Sequence, residues 1–512
     1  MLSRRQFVAG AAATAFGAPA LLRAQSLFAR YPFSLGVAAG DPSPDGFVIW
    51  TRLAPDPLDP HGGMVMSPMP VAWEVAADER FATIVARGEE AARPELGHSV
   101  HIELSGLQPD RPYWYRFRAG GERSISGHAR TLPPAQASPA ALRFGICGCQ
   151  DYQAGYYTAF QHLAREELAF VFHYGDYIYE YRDTILRPGR EGELIVSARR
   201  LEGGTLYDLA DYRQRYAQCK SDPDLQRAHA AHAFFHVFDD HEVADNWVQD
   251  LDSEGTPPEI FRTRRTMALQ AWYEHMPVRR ALLPRTGAVA AHRSARFGTL
   301  AEIDILDTRQ FRSDQPCDDG FKPVCAEANA PDATVLGTEQ EAWLARNLAR
   351  RDARWNCLAQ QIMMMSIDRR TRDEPARILN MDSWAGYEVP RRRLLARMRG
   401  LDNVVVLTGD EHQNFAGLLH DSDDPVAVEF VGTSISSGGD GQDRRPGSDR
   451  ILAENPQIKL INDQRGYLVC DVGRDAWRTN YMVMDRVSTP GGSISRRATA
   501  VVAHGTPSLT IE

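Results

Sequence analysis

Four short apolar runs restrict the fold of this chain more than any other feature, because each run ends in residues that can bind a metal or transfer a proton. The runs cover residues 142–146, 169–172, 233–238 and 404–407. Only Arg143 and His236 interrupt them, so we expect strands that are buried on both faces. In open α/β sheets, ligands bind at the carboxyl ends of such strands. The pattern therefore predicts an α/β protein with a functional site at one edge of its sheet.

The residues that follow these runs form the candidate site. They are Cys147, Cys149, Asp176, Tyr179, Asp239, Asp240, His241, Asp410 and His412. Taken singly, each has an ordinary explanation: Gly-Asp is usually a turn, a buried Cys is a small apolar residue, and Asp-Asp-His-Glu can start a helix. Their recurrence at four strand ends favours a metal site instead. Cys149 is the candidate thiolate ligand, and Cys147 is the competing choice.

The donor types restrict the metal and the chemistry. Asp176 follows a strand end directly and has the right chemistry to bridge two metal ions, which together can clamp a phosphate ester. Tyr179 as a phenolate favours trivalent iron, whereas a Cys thiolate also suits zinc. Asp240 and Asp410 are hard oxygen donors that suit Ca²⁺, Mg²⁺ or Mn²⁺. His241, directly after the second Asp, is placed to protonate a leaving alkoxide.

Further motifs accompany these residues along nearly the whole chain. They lie at residues 149–150, 175–180, 239–247, 306–312, 384–387, 408–412 and 462–467. Together they resemble the alkaline phosphatase D (PhoD-type) family of the calcineurin-like metallophosphoesterases. The resemblance implies a four-layer α/β core, with two mixed sheets flanked by helices, behind an N-terminal β-domain. It also implies a phosphomonoesterase or phosphodiesterase that uses Fe³⁺ and Ca²⁺, with other divalent metals as alternatives.

Residue by residue, the resemblance implies a two-metal centre. Its Gly-Asp-x-x-Tyr segment is also similar to the purple acid phosphatase motif. By that likeness, iron would be held by Cys149, Asp176, Tyr179 and His412. Calcium would be held by Asp176, Asp240 and Asp410, with Asp239 and Asn246 as further candidates. His241 would be the general acid, and Asp176 would serve catalysis as the bridge.

Two arginines in the 306–312 motif have an open assignment. Arg309 and Arg312 could bind phosphate oxygens as bidentate donors. Alternatively, they form internal ion pairs with carboxylates.

Three functions compete at this point. The first is an exported metal-dependent phosphoric ester hydrolase, and the second is a phospholipase D-type phosphodiesterase. The third is a periplasmic protein that binds phosphate compounds without turnover, which would have no use for an acid such as His241. The long segment between Tyr179 and Asp239 matches no family motif, so the sequence leaves the substrate pocket open.

The N-terminal sequence predicts an export signal that is not part of the folded domains. Residues 3–8 resemble a twin-arginine signal, and the apolar stretch at 8–22 is too short for a permanent membrane helix. We assign residues 1–24 to the signal peptide, with cleavage after Ala24 or at the small residues 18–20. The twin-arginine machinery would deliver the folded protein to the periplasm or the medium, without a permanent membrane anchor. We expect a monomer.

Charge and cysteine content add two expectations. The net charge of −9 disfavours a nucleic-acid partner, because phosphate backbones need clustered Lys and Arg. Cys317 and Cys325 flank a loop rich in Pro, Gly and Asp and are a candidate disulfide in an oxidising compartment.

The remaining patterns divide the chain into two domains. Residues 33–133 contain short alternating strands separated by turns, which predicts a β-sandwich similar to a fibronectin type III domain. Residues 141–512 alternate buried strands with helices and form the catalytic domain. Within it, we expect a helix at 156–168 and a helix opened by a capping box from Thr338 to Glu341. We also expect strands at 301–306 and 426–431, and a glycine-rich loop at 436–441.

Overall fold

A computed structural model describes residues 27–188, 194–285, 287–370, 372–373, 375–401 and 403–512. The expected signal peptide at 1–24 lies outside these residues. The described helices are α1 (Thr158–Leu163), α2 (Leu209–Lys220), α3 (Pro223–Ala231), α4 (Pro258–His275), α5 (Gly337–Arg350), α6 (Glu388–Met398) and α7 (Ser448–Glu454). Within the described ranges, no helix combines the length and apolar character that crossing a bilayer requires.

Strands make up most of the ordered structure. They are β1 (Val37–Ser43), β2 (Gly46–Arg52), β3 (Met69–Ala76), β4 (Ile84–Ala92), β5 (Ser99–Glu103), β6 (Pro112–Ala119), β7 (Glu122–Arg123), β8 (Gly127–Arg130), β9 (Ala141–Cys147), β10 (Val171–His173), β11 (Leu186–Pro188), β12 (Leu194–Val196), β13 (Ala233–His236), β14 (Arg293–Phe297), β15 (Ala301–Ile305), β16 (Phe321–Pro323), β17 (Trp355–Ala359), β18 (Ile378–Asn380), β19 (Val404–Thr408), β20 (Asn414–Asp421), β21 (Asp424–Val431), β22 (Ile458–Asn462), β23 (Gly466–Gly473), β24 (Ala476–Met484), β25 (Ile494–Ala503) and β26 (Thr510–Ile511).

Two large mixed sheets form the centre of the molecule. The first has ten strands in the order β26-β25-β24-β23-β9-β10-β13-β1-β2-β5. Its middle strands β9, β10, β13 and β1 are parallel. The second has seven strands in the order β14-β15-β17-β19-β21-β20-β22, and its middle strands from β15 to β21 are also parallel. The α/β class with mixed sheets is therefore confirmed, whereas the four-layer arrangement stays a prediction.

The apolar runs are buried on both faces, as their composition predicts. In β19, Val405 and Leu407 belong to the core cluster that includes residues of the ten-stranded sheet. Val404 and Val406 belong instead to a second cluster, which contains Leu344 of α5 and other helix residues. Alternate side chains of one strand thus face two different cores.

The N-terminal region is continuous with the ten-stranded sheet. Strands β1, β2 and β5 extend the ten-stranded sheet, and β1 pairs in parallel with β13 through Ala39 and Gly40. A separate sheet of β3, β4, β6, β7 and β8 lies over them. The core between the two layers contains Phe47, Ile49, Val71, Val75, Tyr115 and Phe117. The likeness to a fibronectin type III domain stays a prediction.

Two local predictions were wrong. The helix expected at 156–168 covers only Thr158–Leu163, because the Tyr156 N–H donates to Val487 O at 2.7 Å and Glu166 pairs with Arg143. No capping box opens α5: Leu336 is its N-cap without a side-chain bond, and Glu341 pairs with Arg393 of α6 instead. In both places, contacts with distant residues outweigh the local signal.

One expected alternation is also incomplete. Val100, Ile102 and Leu104 are buried on one face of the segment around β5, as predicted. The opposite face is buried as well, because the His101 ring stacks on Tyr273 with the centroids 4.5 Å apart.

Candidate metal centre

Strand register brings the predicted donors to one edge of the ten-stranded sheet. Cys147 at the end of β9 pairs with His173 at the end of β10, and His173 pairs with His236 at the end of β13. The three turns that follow these strands therefore start side by side. They carry Cys149, Asp176, Tyr179, Asp239, Asp240 and His241.

The seven-stranded sheet supplies the remaining donors. Strand β19 ends at Thr408, and the next turn carries Asp410 and His412. The Tyr174 ring lies between the two sheets, since a Cβ at Gly148 or at Gly409 would lie 2.2 Å from it. Glycine at both positions thus lets the turns of the two sheets approach each other.

Five candidate donors share an uncommon backbone conformation. Their φ angles are positive: Cys149 50°, Asp176 55°, Asn246 50°, Asp410 66° and His412 50°. L-residues rarely adopt this left-handed region, and it persists only where the surroundings enforce it. Such outliers are frequent at functional sites, so this conformation supports the metal-site prediction.

The donors fall into three overlapping groups whose ligand atoms lie within 4.8 Å of one another. The groups are Cys149–Asp176–His412, Asp176–Asp240–His241 and Asp239–Asp240–Asp410. Asp176 belongs to the first two, and Asp240 belongs to the last two. The arrangement is a chain of sites joined by shared carboxylates.

Tyr179 lies inside the first group. Its hydroxyl donates to Asp176 Oδ2 at 2.9 Å and lies 3.2 Å from His412 Nε2. Ser437 of the glycine-rich loop lies 2.7 Å from the Tyr179 hydroxyl and 2.8 Å from the Cys149 carbonyl oxygen. The donor set is thus one thiol, one phenol, one imidazole and one carboxylate.

Charge and hydrogen bonding both indicate that these residues fit a cation. Asp176 Oδ1 and Asp239 Oδ2 are buried without a hydrogen-bond partner, which is unfavourable for a carboxylate. Burial, with the charge of Asp176, raises the pKa of the Cys149 thiol well above its usual value. Burial and the charge of Asp239 likewise raise the pKa of Asp410. A bound cation would reverse these shifts, because it stabilises each ionised form.

His241 is oriented by Glu180. Its Nδ1 lies 2.8 Å from Glu180 Oε2, so Nε2 faces the site at 3.9 Å from both Asp240 and Asp245. Burial alone would lower the pKa of His241, but the charges of Asp240, Glu180 and Asp176 outweigh it and raise that pKa well above its usual value. The imidazole therefore tends to keep its proton.

The two arginines are engaged in buried ion pairs. Both Arg309 and Arg312 have no exposed surface. Arg309 Nε donates to Asp239 Oδ1 at 2.5 Å and Nη1 to Asp382 Oδ2 at 2.9 Å, while Arg312 also pairs with Asp382. This geometry matches the ion-pair alternative. The phosphate-binding alternative stays a prediction for both arginines.

The Asn246 side chain is bonded to a carboxylate outside the three donor groups. Its Nδ2 donates to Asp319 Oδ2 at 2.7 Å, while its backbone N–H donates to Asp240 Oδ2 at 2.8 Å. Asp319 lies in a loop closed by a disulfide between Cys317 and Cys325, with Cα atoms 5.7 Å apart. The disulfide loop thus borders the candidate centre through Asn246.

Sequence reasoning assigned no role to four residues that support the centre. They are Glu180, Glu242, Asp382 and Ser437. Glu180 and Glu242 lie inside the motifs at 175–180 and 239–247. A charged residue close after a buried strand is rarely buried unless it is paired, and this pattern could have identified both residues. Ser437 lies in the glycine-rich loop at 436–441, whereas no signal in the sequence linked Asp382 to the site.

The chain is similar to proteins of one family along most of its length. The PhoD-like phosphatase model matches residues 144–481, and the model of the PhoD-like phosphatase N-terminal domain matches residues 18–133. Alkaline phosphatase D of Bacillus subtilis (strain 168) is 45% identical over 515 aligned residues, covering 97% of this chain and 87% of the relative. A solved structure of PhoD superposes with a TM-score of 0.91 at 45% identity, covering 94% of this chain and 92% of that one.

Proposed function

This chain belongs to the PhoD-like phosphatase family and is a phosphoric ester hydrolase, and from that premise we propose that it uses two metal positions joined by Asp176. One observation carries the proposal: Asp176 belongs to two donor groups, each with its ligand atoms within 4.8 Å of one another. A shared carboxylate is the usual way to hold two cations close enough to act on one phosphate.

The donor chemistry assigns the two positions. Fe³⁺ would be held by Cys149, Asp176, Tyr179 and His412, because a Tyr179 phenolate favours trivalent iron. Asp176, Asp240 and Asp410, with Asp239 beside them, would hold Ca²⁺ through carboxylate oxygens. Bound there, the metals would neutralise phosphoryl charge and supply hydroxide near neutral pH.

His241 is the proposed general acid. Glu180 binds its Nδ1, so Nε2 is the atom that would deliver a proton to the leaving alkoxide. The Glu180 carboxylate supports this role, because it fixes the orientation of the ring at 2.8 Å from Nδ1. Both phosphomonoesters and phosphodiesters are compatible with this arrangement.

Elemental analysis of protein purified without added metal tests the metal assignment, together with a panel of mono- and diester substrates. A phenolate bound to Fe³⁺ should colour the protein, and Tyr179→Phe should shift or bleach that band. Tyr181→Phe is the matched control, because this tyrosine is 46% exposed and its ring lies 6.4 Å from that of Tyr179. A colourless, fully active protein that contains only zinc would overturn the iron assignment and leave the hydrolase untouched.

We further propose export as a monomer to the periplasm or the medium by the twin-arginine route. The proposal depends on residues 1–24, including Arg4 and Arg5. Replacing both arginines by Lys should leave the precursor in the cytoplasm. Fractionation that finds normal export of this double variant would contradict the proposal.

A further inference from the structure

Glu242 is a buried carboxylate with no role in the proposed reaction. It follows His241 directly and has no exposed surface. Its Oε2 accepts the backbone N–H groups of Asp176 at 2.9 Å and Asp239 at 2.8 Å, and its Oε1 accepts the N–H of Tyr177 at 2.6 Å. One side chain therefore holds the backbone of two different strand-end turns.

A third turn is attached to the same unit through the backbone. The Cys149 N–H donates to Gly175 O at 3.0 Å, and the Gln150 N–H donates to Asp176 O at 2.9 Å. The turns that carry Cys149, Asp176 and Asp239 are thus bonded in series, with Glu242 joining the last two. These turns supply donors to both proposed metal positions.

The turns need such a connection because their geometry is unfavourable by itself. Cys149 and Asp176 have left-handed backbones, which only surrounding bonds can maintain. The contact between two of the turns is also close, since a Cβ at Gly175 would lie 2.4 Å from the Asp239 nitrogen. Small movements of one turn would therefore displace donors on the next.

We propose that Glu242 is a positioning residue that sets the spacing between the metal donors on the Asp176 and Asp239 turns. The inference rests on the two-metal function proposed above. A carboxylate suits this role because both of its oxygens accept hydrogen bonds. A glutamine of the same shape would direct its NH₂ group at one or more of the three N–H donors.

The test is a chelator titration of the metal-loaded, full-length protein at a temperature well below unfolding. Glu242→Gln should release metal at a chelator concentration on the order of 10–100-fold lower than the wild type, the range typical of residues that orient ligands. Metal content is read by elemental analysis, independently of activity.

Glu429→Gln is the matched control. Glu429 also has no exposed surface and accepts two backbone N–H groups, those of Met364 and Met365, and the Thr408 hydroxyl, at 2.7 Å each. None of these three partners is a candidate donor. The control should lower the unfolding temperature and leave the chelator midpoint unchanged.

The outcomes separate the two hypotheses. Wild-type protein that holds metal, with an unchanged midpoint in Glu242→Gln, overturns the positioning role alone. Wild-type protein that binds no metal overturns the proposed function and this inference with it. If Glu242→Gln is not recovered folded, Glu242→Asp decides, because its shorter side chain keeps the charge and cannot reach both turns. An unchanged midpoint there contradicts the proposal, and a lowered one supports it.

Discussion

At the scale of single residues, the candidate centre concentrates negative charge inside the protein. Asp176, Asp239 and Asp240 are all buried, and the cations beside them are already engaged: Arg309 pairs with Asp239 and Asp382, and His241 pairs with Glu180. Buried carboxylates without enough positive charge are unfavourable, so a bound cation is the physical complement. The next two predictions follow from individual side chains in this group.

Asp176 should be necessary for both metals. Asp176→Asn keeps the size of the side chain and removes the charge shared by two donor groups. We expect both metals and nearly all activity to be lost, as measured by elemental analysis and phosphate release. Asp475→Asn is the control, because that carboxylate is 97% exposed and remote in sequence. Two metals at normal occupancy in Asp176→Asn would show that Asp176 is not the bridge.

His241 should matter most when the leaving group is poor. His241→Ala should reduce hydrolysis of alkyl esters on the order of 10²-fold or more, and that of nitrophenyl esters far less, because a nitrophenolate departs without a proton. Metal content should stay normal, and His420→Ala, on strand β20, should change neither rate. Equal losses on both esters, or loss of metal, would contradict the acid role. Loss of metal would instead assign His241 to the donor group that it shares with Asp176 and Asp240.

At the scale of elements, strand pairing determines which turns meet. The parallel neighbours β9, β10 and β13 end at one level, and β1 continues the same sheet into the N-terminal region. The β1–β13 pair therefore connects the catalytic sheet to the N-terminal layer. Its register depends on a close backbone approach.

Gly40 should be essential for that pair. A Cβ at this position would lie 2.2 Å from Pro277 O and 2.7 Å from Phe234 O, both of which are backbone atoms. Gly40→Ala should therefore destabilise the protein by roughly 1–3 kcal/mol, the usual effect of overpacking. Gly121→Ala is the control, since nothing lies within 4 Å of its added Cβ. Denaturant unfolding that gives equal stabilities for the two variants would exclude this explanation.

At the scale of the whole molecule, the N-terminal layer and the catalytic region share one interior. Trp50 of β2 donates from Nε1 to the Glu274 carbonyl oxygen of α4 at 2.9 Å. The Lys220 ammonium of α2 lies 4.3 Å from the centroid of the Trp50 ring and 5.2 Å from the centroid of the Tyr177 ring. In the sequence, Tyr177 lies between the candidate donors Asp176 and Tyr179. A buried amine thus lies where the two parts meet.

The Lys220 amine should make stability depend on pH. Burial lowers its pKa from 10.5 to about 7. Below about pH 7 the amine is protonated in both states, and the folded state bears the full free-energy cost of a buried charge. Between about pH 7 and pH 10.5 only the unfolded state stays protonated, so this cost declines as the pH rises. Lys220→Met should therefore raise the unfolding temperature more at about pH 6 than at about pH 10.5. An equal shift at both pH values would contradict the lowered pKa.

Local sequence was sufficient for the strands and for the candidate donors. Strands β9, β10, β13 and β19 lie on the apolar runs, because continuous burial on both faces leaves a signature within four to six residues. The donors that follow β9, β10 and β13 meet because parallel strands of one sheet end together. Asp410 and His412 follow β19 of the other sheet, so their arrival at the same site depends on how the two sheets pack. The motifs also led to the correct family, because they are short and contiguous.

Tertiary structure alone decided which partners the polar side chains have. Arg309 reaches Asp239 and Asp382, which are 70 and 73 residues away, and Glu242 reaches Tyr177, 65 residues away. Tyr156 and Glu166 leave the expected helix because Val487 and Arg143 bond to them. Local sequence reports how apolar a segment is and with what period, but hydrogen bonds and ion pairs depend on where distant segments pack. For that reason, the strand ends and their donors could be read from the chain, whereas the residues that orient those donors required the fold.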